Sequence, residues 1–197
     1  MRARVAVLVS GGGTNLQALL DAEGSGILKS GEIVLVVSSR PDAYALTRAR
    51  RAGVEALTIA KADGEAALIE ALESRKIDLV VLAGYLTILG AELVKKYENR
   101  IVNVHPSLIP AFCGKGFYGL IPHEEALKRG VKVTGATVHL VNEIPDGGKI
   151  LAQKAVDVLP GDTPETLQRR VMVEAEWVLL PRAVEALCAD IAKEKNP

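Results

Sequence analysis

Val5-Ala6-Val7-Leu8-Val9-Ser10-Gly11-Gly12-Gly13-Thr14-Asn15-Leu16 begins the chain with an apolar run that stops abruptly at three glycines. The run is too short to cross a membrane and lacks a signal-peptide layout, so it reads as a strand whose glycine-rich turn feeds a helix. Strand and helix signals alternate downstream, without a sequence repeat. Short apolar runs at Val5 to Val9, Ile33 to Val37, Ala56 to Ile59, Leu79 to Leu82 and Ile101 to Val104 alternate with helical stretches at Thr14 to Ala22, Tyr44 to Ala52, Glu65 to Arg75 and Gly90 to Lys96. Strands separated by crossover helices imply an α/β fold with a mostly parallel sheet and helices on both faces. In the third helix Leu68, Ile69, Ala71 and Leu72 form the inward stripe, while Glu70, Glu73 and Arg75 face water. After Asn103 the texture changes. A long loop leads to a helix near His123 to Arg129, and then Thr134 to Val141 and Ile150 to Val158 alternate as antiparallel or mixed strands do. A last helical region begins at Asp162-Thr163-Pro164, an N-cap followed by proline in the first turn, with an interruption expected at Pro181.

With 197 residues, 49% of them hydrophobic, the chain is long enough for one well-buried core, and a single domain over residues 1–197 is expected. Lys plus Arg balance Asp plus Glu at 24 each, so no net field draws the chain to nucleic acid or an anionic membrane, and small molecules are the expected partners. Cys113 and Cys188 form no metal-type spacing, which favours a reduced cytoplasmic setting and leaves one bridge open.

The loop Ser10 to Asn15 can hold a phosphate on backbone N–H groups and the helix dipole, or can simply be a tight turn. A dinucleotide fingerprint would place glycine where Leu16 stands and an acidic residue where Ser38-Ser39-Arg40 stand, so NAD is disfavoured. That triplet suits either the extra phosphate of NADP or a solvated turn before Pro41.

Asn103 and His105 are two apart on one strand, which turns both toward one face, and Pro106 ends any helical continuation. Asp146 precedes Gly147 and Gly148, whose missing Cβ atoms permit close approach of backbone or ligand. A carboxamide, an imidazole and a carboxylate are therefore expected to meet at a strand end. His139 either joins that pocket or only holds its strand, and His123, after Pro122, is expected as a cap or surface residue. The three histidines have no zinc-type spacing, and no metal is expected.

Taken together, these segments resemble the phosphoribosylglycinamide formyltransferase family, the folate-dependent enzymes of purine biosynthesis. Ser10-Gly11-Gly12-Gly13-Thr14-Asn15-Leu16-Gln17 is similar to the family's opening S-G-x-G-[ST]-N-L-Q, and Leu82 to Leu89 is similar to its folate-pocket segment. Asn103-Val104-His105-Pro106-Ser107-Leu108-Ile109-Pro110 resembles its catalytic motif, and Gly135 to Val141 with Asp146-Gly147-Gly148 resembles the region that supplies its aspartate. The resemblance implies a Rossmann-like, formyltransferase-type fold, with a phosphate-binding half at about 1–100 and a folate and catalytic half at about 101–197.

It further implies that Gly13, Thr14 and Asn15 bind the phosphoribosyl part of glycinamide ribonucleotide, with Glu176 as a further contact. Leu86, Thr87, Ile88 and Leu89 are expected to line the pterin pocket of the cosubstrate 10-formyltetrahydrofolate, with Asn103 beside it and Lys61 where the family often carries an arginine. The catalytic set is then Asn103, His105 and Asp146, with the carboxylate expected to favour the protonated His105 ring. The segment Arg170 to Pro181 is one residue longer than the family pattern. The loop Phe112 to Gly119 is also longer than the short P-G-L version, and reads as a flexible cleft wall or a surface excursion. Hydrolysis of formylfolate and an NADP-dependent oxidoreductase are the rival readings, and the chain is expected as a cytoplasmic monomer or homodimer.

Overall fold

The computed structural model describes residues 1–195. One seven-stranded sheet runs through it in the order β3 (Glu55–Thr58), β2 (Gly31–Ser38), β1 (Ala3–Val9), β4 (Leu79–Leu82), β5 (Ile101–His105), β6 (Val133–Leu140), β7 (Ile150–Asp157). The first five strands are parallel, and β6 and β7 add on antiparallel. Between the strands lie α1 (Thr14–Gly24), α2 (Tyr44–Arg51), α3 (Gly64–Ser74), α4 (Ala91–Lys96) and α5 (Ile121–Arg129), and α6 (Pro164–Val171) and α7 (Trp177–Lys195) close the chain.

The period of two along β1 explains why helices cover both faces. Val5, Val7 and Val9 point into a core with Leu16 and Leu19 of α1 and Leu180, Val184 and Cys188 of α7. Ala6 and Leu8 point the other way, against Leu68 and Leu72 of α3 and Leu93 of α4. A strand segment buried on both sides must be apolar at every position, which is why Val5 to Val9 of β1 and the whole of β4 read as continuous hydrophobic runs. A smaller cluster of Ala126, Ala136, Val156, Leu167, Val171 and Ala175 joins α5 and α6 to the antiparallel end. The edge strand β7 is mostly exposed and carries Gln153 and Lys154, polar residues that discourage further pairing.

Because β2 lies on one side of β1 and β4 on the other, the loops after β1 and β4 diverge and leave a crevice at their carboxyl ends. The amide of Leu86 donates to Ser10 Oγ at 2.9 Å and ties the two loops together across it. His105, the last residue of β5, opens onto the same end.

Two expectations need correction. Pro181 does not interrupt the last helix; it lies inside α7, and the irregularity is a π-turn at Met172–Glu176. A π-turn inserts one residue into a helix without ending it, so it accommodates the extra residue between Arg170 and Pro181. His123 is neither a cap nor exposed: it is completely buried in α5, and among the described residues neither ring nitrogen has a partner. Burial pushes its pKa down to about 4, with His105 adding to the shift, so the ring is neutral.

The turn that carries Asp146 is packed too tightly for side chains. A Cβ at Gly148 would lie 1.7 Å from the Leu140 carbonyl oxygen, so the close approach inferred from Gly147-Gly148 is first of all an approach to the chain's own backbone. Gly148→Ala is expected to destabilise the protein by at least about 2 kcal/mol, since the β6–β7 connection must deform. Gly24→Ala, where an added Cβ meets nothing within 4 Å, should stay within about 0.5 kcal/mol of the parent. Urea unfolding of the two variants checks this, and equal stabilities would contradict it.

Candidate active site

The glycine loop is built with its acceptors turned inward. The Gly11 carbonyl accepts from the Ala45 amide, Gly13 from the Gln17 amide, and Gly12 from Arg48 Nε at 2.8 Å. With these carbonyls occupied, the N-terminus of α1 presents donors to the crevice, and no acidic residue in its first turn competes for them. Gly13 is required at this point: its φ is +73°, and a Cβ would lie 2.6 Å from the Ala45 Cβ.

Two clefts meet beyond that loop. The larger, about 560 Å³, takes Thr14 and Asn15 from α1, Gly84 to Leu86 from the loop after β4, Asn103 and His105 from β5, the loop Gly114 to Gly119, Asp146, and Gln168 and Glu176 near α6. The smaller, about 160 Å³, is walled by Leu82, Leu86, Thr87, Ile88, Leu89, Val94 and Val141. Exposed Leu86, Ile88 and Ile144 rim it, an apolar edge suited to a flat hydrophobic ring. Asn103 and Asp146 line both clefts and so stand at their junction. Each cleft draws residues from both sides of position 100, so the two expected halves share the site rather than divide it.

At the junction every hydrogen-bonding choice constrains the next. His139 Nδ1 lies 2.8 Å from the Leu140 carbonyl, which can only accept, so that nitrogen carries the proton. In the neutral ring Nε2 is then an acceptor, and Asn103 Nδ2 donates to it at 3.1 Å. One Asn103 N–H is thereby fixed, and the second is left for the junction. His105 Nε2 must likewise donate to the Phe112 carbonyl at 2.9 Å, which leaves Nδ1 facing Asp146 Oδ2 at 3.5 Å. Asp146 Oδ1 lies 3.5 Å from His139 Nε2, and Oδ2 accepts the Gly114 amide at 2.8 Å. Asp146 itself adopts φ +55°, a left-handed conformation that aspartate tolerates and that turns the carboxylate inward.

Charges at this junction follow from burial and contacts. Burial alone would raise the Asp146 pKa, but the His139 contact, the Gly114 amide and both imidazoles together hold it below the usual carboxylate range. For His105 the balance is reversed. Desolvation lowers its pKa by more than the Phe112 carbonyl and Asp146 raise it, so the resting ring is neutral even though Asp146 favours the protonated form as expected. The resting pair is an ionised carboxylate beside a neutral imidazole with Nδ1 free, a proton acceptor with its counter-charge in place.

Asn15 and Glu176 form a second polar pair in the larger cleft. Asn15 Nδ2 donates to Glu176 Oε2 at 2.6 Å, while Asn15 Oδ1 is buried without a partner. Glu176 is the final residue of the π-turn, and only 6% of it is accessible. Glu174 is exposed, so the widened turn determines which glutamate enters the cleft.

The remaining candidates are placed as follows. Lys61 is exposed on the 3-10 turn Lys61–Asp63 and lines neither cleft. Ser38 and Arg40 bond to each other, Ser39 pairs with Ser10, and the Arg40 guanidinium holds Asp42, so the triplet is consumed in a turn and offers no phosphate cradle. Residues missed from sequence are the Phe112 carbonyl and the Gly114 amide, whose roles are backbone contacts that no side-chain motif signals. Both cysteines are free thiols.

A family model described as formyl transferase matches residues 3–184. The chain is 40% identical over 199 residues to a chloroplastic phosphoribosylglycinamide formyltransferase of Arabidopsis thaliana, covering 98% of this chain and 68% of that one. It superposes on a crystal structure of glycinamide ribonucleotide transformylase 1 from Symbiobacterium toebii with TM-score 0.89 and 45% identity, covering 96% of this chain and 89% of that chain. A formyltetrahydrofolate deformylase from Pseudomonas syringae superposes with TM-score 0.86 and 29% identity, covering 96% and 62%. Among the curated relatives the chain also spans less: 62% of a second plant protein and 14% of an animal trifunctional purine biosynthetic protein.

Burial pushes the Glu176 pKa up to about 6, against the opposing hydrogen bond from Asn15. A carboxyl group whose pKa is raised by folding favours the folded state below its unfolded pKa, and that advantage is lost as pH rises through the folded value. Glu176→Gln should therefore unfold at nearly the parent temperature at pH 4 and be more stable at pH 8, by up to about 2 kcal/mol. Thermal unfolding at the two pH values measures the difference, and a gain confined to pH 4 would reverse the assignment.

Proposed function

The chain belongs to the formyl transferase family, and on that premise we propose that it transfers the formyl group of 10-formyltetrahydrofolate to the amine of phosphoribosylglycinamide in purine biosynthesis. The observation that carries this reading is the position of Asn103 and Asp146 at the junction of two clefts, with His105 beside them in the larger: one cleft is rimmed by Leu86, Ile88 and Ile144, and the other reaches Thr14 and Asn15 at the start of α1. A formyl group entering from the first and an amine entering from the second come together at these three side chains.

The glycine loop and Thr14 are assigned to the substrate phosphate, and Asn15 and Glu176 to its sugar hydroxyls. Asn15 Oδ1, buried without a partner, supports this, because an orphaned acceptor at the wall of the larger cleft awaits a donor. Leu86, Thr87, Ile88 and Leu89 are assigned to the folate ring, which their apolar edge supports. Lys61, outside both clefts, is assigned at most to a distant part of the folate.

The chemistry is assigned to the junction. Amine attack on the formyl carbon places negative charge on the formyl oxygen, and the free N–H of Asn103 is the donor that meets it. His139 Nε2, accepting from Asn103 Nδ2, fixes the amide so that this N–H requires no reorganisation. The proton released as the new bond forms passes to His105 Nδ1, where Asp146 stabilises the resulting imidazolium, and the ring returns it to the departing folate nitrogen. No side chain forms a covalent intermediate in this scheme.

Hydrolysis of the same formylfolate is the second reading, favoured by the likeness to the deformylase fold. The cytoplasm is the proposed compartment, and among the described residues no helix is long and apolar enough to cross a membrane. Incubation with 10-formyltetrahydrofolate, with and without phosphoribosylglycinamide, separates the two readings: tetrahydrofolate should appear only with the acceptor and without formate, and acceptor-independent formate would establish hydrolysis instead. Asn103→Ala should lower kcat about 10²- to 10³-fold while KM changes little. In Asp146→Asn the carboxylate that raises the His105 pKa is gone, so the acid limb of the surviving kcat–pH profile should move to lower pH; a shift to higher pH would remove Asp146 from this role.

A further inference from the structure

Of the side chains lining the larger cleft, Lys115 is the single lysine or arginine, and it shares the space with the carboxylates of Asp146 and Glu176. A substrate phosphate in such a cleft faces two anions, and the loop Gly11 to Gly13 offsets them only with partial dipolar charge. Arg48, the obvious alternative cation near that loop, is already committed. Its guanidinium bonds the Gly12 carbonyl and Gln17 Oε1, stacks 5.0 Å from the Tyr44 ring centroid, and lines a different groove between α1 and α7. Lys115 is exposed and makes no ion pair or hydrogen bond among the described residues.

Its loop is built to carry it. Gly114, Gly116 and Gly119 all adopt positive φ, at +90°, +93° and +64°, with open space where their Cβ atoms would stand. Such a segment can reorient at small conformational cost. One end is nevertheless fixed, because the Gly114 amide holds Asp146 Oδ2 and the adjoining Phe112 carbonyl holds His105 Nε2. The lysine is thus tethered at the catalytic junction and free to swing across the cleft.

We propose that Lys115 is the phosphate-pairing cation of this enzyme: it bonds the substrate phosphate from the side opposite the glycine loop and draws the Phe112 to Gly119 segment over the bound ribonucleotide. This rests on the reading that the acceptor is a ribonucleotide. A charge-assisted hydrogen bond of this kind changes affinity by about ten- to a hundredfold.

The test uses Lys115→Ala and Lys115→Arg in the full chain, with two readouts. In steady-state kinetics, Lys115→Ala should raise KM for phosphoribosylglycinamide ten- to a hundredfold, leave KM for formylfolate within twofold, and have no effect with an acceptor lacking the phosphate; Lys115→Arg should recover most of the loss. In calorimetric titration with ribose 5-phosphate alone, the wild type should bind and Lys115→Ala should bind at least tenfold more weakly. Variants within twofold of wild type in both measurements, or an equal loss with the unphosphorylated acceptor, would overturn the assignment. If ribose 5-phosphate binding depends on Lys115 but no formyl group is transferred, the reaction is misassigned and the phosphate contact stands. If transfer is normal and indifferent to Lys115, the reaction stands and the contact does not.

Discussion

One carboxylate, that of Asp146, organises the junction of the two clefts. Asp146 is largely withdrawn from water: its Oδ2 accepts the Gly114 amide of the long loop, and Oδ2 and Oδ1 lie 3.5 Å from ring nitrogens of His105 on β5 and His139 on β6. A buried charge left without such partners costs several kcal/mol, so the three segments are bound to one another through it. The same contacts set its chemistry. The partners keep Asp146 ionised, while the burial they create keeps His105 neutral, and a base with its counter-charge already in place is the result.

The sheet brings these pieces to one end without any of them being local to another. Parallel strands point all their carboxyl ends in one direction, and the reversal of strand order beside β1 opens the crevice there. The antiparallel addition of β6 then places His139 directly opposite Asn103 in register, so the imidazole that orients the amide is supplied by strand pairing. The apolar faces of β1, packed against α1 and α7 on one side and α3 and α4 on the other, provide the rigid frame. A site held on strand ends over such a frame keeps its geometry better than one built on loops alone.

The π-turn shows the same economy on the α6–α7 side of the larger cleft. A continuous α-helix through residues 164–195 would rotate everything after the extra residue by about 100°. The widened turn takes up that residue locally, restores the register of α7 against the core, and leaves Glu176 buried against Asn15 while Glu174 faces solvent. Pro181, which lacks a backbone N–H, sits one turn into α7, where its missing bond is tolerated.

The local alphabet of the chain settled which elements form. Apolar runs at Val5 to Val9 and Leu79 to Leu82, glycine at Gly13, and threonine before Pro164 specify strand, turn and cap by short-range sterics and burial, and each stands where its sequence indicates. Asn103, His105 and Asp146 were legible as a group because a strand's period of two and a glycine turn constrain where side chains point. Proton positions were not legible. The neutral state of His105 comes from the amount of protein around it, the tautomers of His105 and His139 come from the carbonyls of Phe112 and Leu140, and the burial of His123 comes from packing across the sheet. Desolvation and hydrogen bonding are properties of neighbours far apart in sequence, and only the folded chain decides which neighbours meet.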